Sequence, residues 1–190
     1  ETAAFDFVSW KKSFSDLEFV GVNVSARQLD NDRLIKQVKE VIEVTGINTK
    51  SLKLEVTETT VMKNPEVAQH VLETLHQMGS KIAIDDFGTG YSSLSTLHEF
   101  HFDALKIDQS FTRDLETSPR RQELVSIINM MGKNLGLETI VEGVETKAQV
   151  EILRSIGCDL IQGYYLSRPV AHDDLEKLLN SQILEKKIRA

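Results

Sequence analysis

A parallel β/α barrel is the fold class that this 190-residue sequence predicts, and three observations predict it. Short β-rich runs alternate with helical patterns along most of the chain, the order expected of a parallel sheet with crossover helices. Runs such as Ile82-Ala-Ile84 and Thr139-Ile-Val141 are continuously apolar, as strands covered on both faces are. A polar residue also recurs at the C-terminal end of nearly every strand: Asn23, Glu55, Asp85 with Asp86, Lys106, Glu142 and Gln162. In a TIM-type (β/α)8 barrel those ends converge on one rim, where active sites are built. In an open sheet they would spread along an edge.

The elements follow in order. Strands are expected at 18–24, 52–57, 81–86, 103–108, 138–142 and 158–162. Phe5, Val8 and Trp10 read as part of a helix entered partway. The segment 31–45 sets Leu34, Ile35, Val38 and Ile42 at helical spacing and stops at Gly46, a natural residue just past a helix end. Asn64-Pro65 reads as a cap followed by proline at the first helical position, and Val67, Val71, Leu72, Leu75 and Met78 form a stripe ending at Gly79. Ser118-Pro119 opens a helix carrying Leu124, Ile127, Ile128, Met131 and Leu135 before Gly136. Thr146 with Gln149 forms a capping box, followed by Val150 and Leu153 and closed by Gly157. Residues 172–189 read as a terminal helix with Leu175, Leu178 and Leu179. An eight-unit barrel needs about 250 residues, so six units predict a single domain, 1–190, lacking about two N-terminal β/α units.

Composition narrows the function. At 41% hydrophobic and 27% charged, the chain is neither disordered nor fibrous. No apolar run reaches the roughly 18 to 20 residues that span a bilayer, and the N-terminus lacks the zones of a signal peptide. The expected location is the cytoplasm, or the cytoplasmic side of a membrane if the parent protein carries spans. A net charge of −7 argues against DNA or another polyanion bound through a broad basic surface. A small phosphate ligand would need divalent metal to offset the carboxylates. Cys158 is the one cysteine, so no internal disulfide forms; an isolated thiol is usually a small buried hydrophobe and receives no catalytic role.

The rim residues make a coherent donor set. Glu55, Asp85, Asp86 and Glu142 supply carboxylates and Asn23 an amide oxygen, a hard oxygen set that suits Mg²⁺ or Mn²⁺. None of the five histidines (His70, His76, His98, His101, His172) falls at a strand end, which disfavours zinc. Such a set fits two cations about 3.5 to 4 Å apart, arranged for in-line attack of water on a phosphodiester, with Asp85 the candidate bridge. Lys106 in the same rim can polarise a water or neutralise an oxyanion. Glu58, just past its strand, can accept hydrogen bonds from the Gly88-Thr-Gly90 loop, and Gln162 and Arg168 lie near the last strand, placed for ligand and core. A lone carboxylate at a strand end usually caps a helix or faces water, and Gly88-Thr-Gly90 alone is weak evidence of anion binding. Five oxygen ligands and a lysine on successive strands are harder to assign to chance.

These motifs resemble a known family. Val22-Asn23-Val-Ser-Ala-Arg-Gln-Leu29, Leu54-Glu55-Val-Thr-Glu58, Asp85-Asp86-Phe-Gly-Thr-Gly-Tyr91, Leu105-Lys106-Ile-Asp108, Val141-Glu142-Gly-Val-Glu145 and Gln162-Gly-Tyr-Tyr-Leu-Ser-Arg-Pro169 are similar to the EAL-domain family of cyclic di-GMP phosphodiesterases. The resemblance implies metal-dependent opening of cyclic di-GMP to linear pGpG on a TIM-type barrel, with two Mg²⁺ or Mn²⁺ ions. By position, Asn23, Glu55, Asp85, Asp86 and Glu142 match the family's metal ligands. Lys106 matches the lysine that assists the attacking water, with Glu142 and Asp86 beside it as catalytic candidates. Glu58 matches the glutamate that steadies the loop after the aspartate pair, and Gln162 an active-site glutamine. Asp108 and Glu145, inside matched motifs, are candidates to contact substrate or support the ligands. The resemblance also implies a homodimer through the loop and helix after Asp86, and other signalling domains in the parent protein.

One motif is missing. The Glu-Ala-Leu segment that names the family, with its metal-binding glutamate and phosphate-holding arginine, does not occur in residues 1–22, and its expected place precedes Glu1. This agrees with the two units missing by length, and the 190 residues alone are expected to hydrolyse little. The competing reading is a regulatory domain that binds cyclic di-GMP without cleaving it; such domains commonly lose metal ligands, whereas every ligand of this portion is present.

Overall fold

The computed structural model describes residues 1–89 and 99–181. Six strands form one sheet: β1 (Val20–Val24), β2 (Leu52–Thr57), β3 (Lys81–Phe87), β4 (Ala104–Ile107), β5 (Glu138–Val141) and β6 (Leu160–Ile161). Every neighbouring pair is parallel and the spatial order is the order of the chain, β1 to β6. A doubly wound sheet reverses direction at a switch point, whereas this chain winds one way throughout, as in a barrel. The result is a TIM-type half-barrel with helices, in which β1 and β6 are the terminal strands. The six expected strands are all present, within a few residues of their predicted ends.

Helices cover the outer face: α1 (Thr2–Ser13), α2 (Ala26–Leu29), α3 (Arg33–Thr45), α4 (Glu58–Lys63), α5 (Pro65–Gln77), α6 (Gln109–Thr112), α7 (Pro119–Asn134), α8 (Lys147–Ile156) and α9 (His172–Asn180). The expected stop signals work as predicted at Gly46 and Gly157, which take left-handed φ values of 68° and 80° as C-caps of α3 and α8. Thr146 and Gln149 form the predicted reciprocal capping box. Asn64 precedes α5 but makes no side-chain cap bond, because its φ of −148° and ψ of 77° turn the side chain away from the first helical amides. The terminal helix ends at Asn180; the expectation for 182–189 lies outside the described residues. Among the described residues no helix is long and apolar enough to cross a membrane.

The apolar stripe expected on α7 is only partly buried. Leu124 and Ile127 are 38% and 50% exposed, while Val125, Asn129 and Gly132 face the sheet. The reason is a polar lock that rotates the helix. Thr139 Oγ1 lies 2.6 Å from Asn129 Oδ1 and 2.8 Å from Asp159 Oδ2, and Asn129 Nδ2 donates to the Ile156 carbonyl at 3.2 Å. Gly132 makes room for this approach, since a Cβ there would meet the Thr139 methyl at 2.7 Å. Replacing Thr139 by Val keeps the shape but strips the buried polar partners, so a loss of about 1–3 kcal/mol in urea unfolding is expected. Asp159 is partly desolvated, yet the Thr139 amide and hydroxyl and the Lys133 charge hold its carboxyl below the usual range. Its contribution to stability is therefore present above the unfolded pKa and lost as pH falls through the lower folded value. Asp159→Ala should flatten that acid limb of the stability profile.

Two apolar clusters result. The larger lies between strands and helices and includes Val56, Ile82, Ile84, Leu105 and Ile107. The smaller, Ala83, Ala104 and Ile140 with Leu160 against it, lies on the opposite face of the sheet. Side chains on a strand alternate between faces, so residues two further along share that inner face: Asp85 after Ala83, Lys106 after Ala104 and Glu142 after Ile140. The site is thereby stacked on a layer of small and aliphatic side chains. Cys158 is half-buried, and burial followed by the Asp159 charge pushes its thiol up to about 11, which keeps it protonated and inert.

Candidate active site

Lys106 is the centre. Its side chain is only 4% exposed, and Nζ lies 2.6 Å from Glu55 Oε2, 2.8 Å from Glu142 Oε1 and 3.0 Å from Asp85 Oδ1. Three strands thus deliver carboxylates to a lysine on a fourth. β2 brings Glu55 and β3 brings Asp85. Glu142 follows β5 directly, and its amide, bonded to the Ile107 carbonyl at 3.0 Å, keeps it in line with the sheet. Glu55 leans across Gly21 of β1, where a Cβ would sit 2.2 Å from Glu55 Oε1, so any other residue there would displace the carboxylate.

Asp86 joins the cluster through a bulge. In a regular strand it would point to the face opposite Asp85. Between Ile84 and Phe87 β3 carries one extra residue relative to β4, and Asp86 takes a φ of +54°, rare for a residue other than glycine. The Asp85 carboxylate accepts the Asp86 amide at 3.0 Å and braces the distortion. Ligand oxygens of Asp85, Asp86 and Glu142 then lie within 4.8 Å of one another. A left-handed backbone at a bulge thus turns a second carboxylate onto the same rim.

The electrostatics point the same way. Burial works against the Lys106 charge, but hydrogen bonds and charge from Glu142 and Glu55 outweigh it and raise its pKa. Glu142 is pushed up, first by burial and then by Asp85 and Asp86, although Lys106 pulls it down. Asp86 is pushed up by burial and by the charges of Asp85 and Asp108, with Lys106 opposing. One ammonium cannot balance four carboxylates, so the pocket retains negative charge that a cation would neutralise. A cluster of oxygen donors of this kind fits Mg²⁺ or Mn²⁺ in both charge and hardness.

The remaining predicted residues are more dispersed. Asn23 faces the rim on β1, opposite Glu55 in register, and is exposed. Asp108 caps α6, accepting the Ser110 amide at 2.9 Å, close enough for its charge to reach Asp86. Glu145 is exposed, while its amide donates to Gln149 Oε1. Gln162 is exposed, and its backbone bonds Val141 and Val144 beside the site. Glu58 is 3% exposed at the start of α4, and neither carboxylate oxygen has a hydrogen-bond partner among the described residues. Its expected contact with the Gly88-Thr-Gly90 loop is not made by Gly88 or by Thr89, whose amide bonds the Asp86 carbonyl at 3.3 Å instead; Gly90 lies outside the described residues. Sequence reasoning missed Gly21 and Thr112, whose buried hydroxyl lies 2.9 Å from the Glu142 carbonyl. Gly21 serves through what it lacks, and Thr112, in a one-turn helix, belongs to no motif whose spacing could have singled it out.

A family model described as EAL domain matches residues 1–169. The chain belongs to the EAL domain family. Cyclic di-GMP phosphodiesterase NbdA of Pseudomonas aeruginosa is 41% identical over 162 residues, or 85% of this EAL chain and 21% of that protein. The solved structure of PaMucR phosphodiesterase in its c-di-GMP complex matches with a TM-score of 0.86 and 37% identity, covering 92% of this chain and 70% of the other. The manganese/cy-diGMP complex of Klebsiella pneumoniae BlrP1 at pH 6 matches with a TM-score of 0.79 and 31% identity, covering 89% and 43%. The EAL chain spans about a fifth of the length of the curated relatives it matches.

Proposed function

We propose that the protein containing this EAL domain is a metal-dependent phosphodiesterase that hydrolyses cyclic di-GMP to linear pGpG. The observation that carries the reading is Lys106 held by Glu55, Asp85 and Glu142, with Asp86 turned onto the same rim by a bulge. Asn23, Glu55, Asp85, Asp86 and Glu142 are the residues that would hold two Mg²⁺ or Mn²⁺ ions. Those ions would supply Lewis-acid charge to the phosphodiester and lower the pKa of a water for in-line attack. The water oxygen bonds to phosphorus, the P–O3′ bond breaks, and the 3′ oxygen leaves with a proton. Lys106 contributes fixed positive charge beside the attacked group and a donor that orients the water. Asp108, whose charge reaches Asp86, and Glu145 and Gln162 on neighbouring connecting segments are the candidates to contact the nucleotide or to support the ligands. Dimerisation through the loop and helix after Asp86 falls largely on residues 90–98, outside the described ones. The small share of its relatives' length that the chain covers fits a module joined to other signalling domains.

The test is direct. The protein containing this domain, incubated with cyclic di-GMP and Mn²⁺ or Mg²⁺, is expected to release pGpG, resolved by chromatography, and to stop when EDTA is added. Tight binding of intact cyclic di-GMP by the metal-loaded protein, with no pGpG formed, would overturn hydrolysis in favour of the receptor reading.

A further inference from the structure

We propose that Gln149 is a positioning residue for the Glu142 carboxylate, acting across two rim segments; the inference rests on the metal-dependent reading above. As the third residue of α8 it serves in the capping box with Thr146, which needs its Oε1 for the Thr146 amide alone, at 3.1 Å. It does more than that. The same oxygen accepts the Glu145 amide at 2.7 Å, and Nε2 donates 3.1 Å to the Thr112 carbonyl of α6. One buried amide therefore ties the Glu142–Thr146 turn to the segment that follows Lys106 and Asp108.

Thr112 completes the tie. Its buried hydroxyl lies 2.9 Å from the Glu142 carbonyl, on the residue whose carboxylate meets Lys106. Gly143, with φ +67°, lets the turn lie flat on α6: a Cβ there would be 2.5 Å from Gln109 Cβ and 3.0 Å from Thr112 Oγ1. The far side of the turn is tied by backbone bonds, through Val144 to the Gln162 carbonyl at 3.1 Å and Tyr165 to the Val144 carbonyl at 2.9 Å, and by the buried Val144 side chain. Glu142 itself sits on the near side, its amide held by the Ile107 carbonyl of the sheet and its carbonyl met by the Thr112 hydroxyl of α6, which Gln149 braces. A ligand cluster within 4.8 Å tolerates little movement, and a displacement near 1 Å at a supporting shell is enough to dissolve such a constellation.

Capping alone and positioning predict different results. Gln149→Met removes all three bonds. Gln149→Glu keeps an Oε acceptor for the Glu145 and Thr146 amides but replaces the donor to the Thr112 carbonyl with a carboxylate oxygen that repels it. Mn²⁺ affinity, measured by calorimetry on the metal-free protein without substrate, is expected to weaken about 10- to 100-fold in both variants, the range typical of groups that orient metal ligands. Circular dichroism should remain that of the wild type. A role in capping alone leaves Gln149→Glu with wild-type Mn²⁺ affinity, and that result overturns the inference. Amide hydrogen exchange over residues 142–146 tests the tie without any metal. Faster exchange confined to that turn is expected in both variants, and unchanged exchange in Gln149→Met would also overturn it. Should the wild type bind no Mn²⁺, the metal reading fails and the exchange result alone decides the role of Gln149.

Discussion

Replacing Lys106 with alanine is expected to lower cyclic di-GMP turnover by about 10²- to 10⁴-fold, the range spanned by losing a residue that handles charge or protons in a transition state. The variant should also be destabilised without metal. Removing one partner of a buried ion pair costs roughly 3–5 kcal/mol, because it leaves charge uncompensated, and here three carboxylates lie within 3.0 Å of the lost ammonium. Divalent cation should recover much of that loss, since it binds the folded site and supplies the missing positive charge. Urea unfolding with and without Mn²⁺ would show both effects, and turnover measured at saturating Mn²⁺ separates the catalytic loss from the folding loss. A variant that regained full turnover at saturating metal would reduce Lys106 to a counter-ion. One that regained stability but stayed inactive would place it in the chemistry.

The sequence spoke most clearly where local signals and the fold agreed. Strand order needed only the alternation of β-rich runs and helical stripes, and the helix ends at Gly46 and Gly157 needed only their own left-handed backbone. Rim carboxylates were visible because period-two alternation fixes which residue at a strand end shares the inner face. That same rule, applied to Asp85 and Asp86, would have separated them. The bulge that reunites them depends on how β3 pairs with β4, a relation between segments about 20 residues apart that neither segment states. The rotation of α7 was hidden for a similar reason. Leu124 and Ile127 promised a buried stripe, but Asn129 found partners in Thr139 and Ile156, and satisfying a buried amide outweighed covering two aliphatic side chains. Relations between distant segments decided both departures, strand register for Asp86 and side-chain hydrogen bonds for α7, and hydrophobic patterning carries no record of them.

Asp85→Asn is the second large effect expected. Asp85 is buried, and its carboxylate meets Lys106 at 3.0 Å while its Oδ1 accepts the Asp86 amide. Asparagine can still offer an oxygen to both, so the bulge and the positive φ of Asp86 should survive. Its missing charge is another matter. A neutral amide is a weaker ligand for a hard cation than a carboxylate, so Mn²⁺ affinity should fall at least about 10-fold and turnover about 10²-fold or more. Asp85→Ala removes the brace as well, leaves the Asp86 amide without its acceptor, and should lower stability by about 1–3 kcal/mol beyond the asparagine variant. The pair of variants thus divides the residue's work in two. If asparagine kept normal metal affinity, the cluster would owe its function to shape rather than charge; if alanine were as stable as asparagine, the bulge would be held by the pairing of β3 with β4 instead of by its own carboxylate.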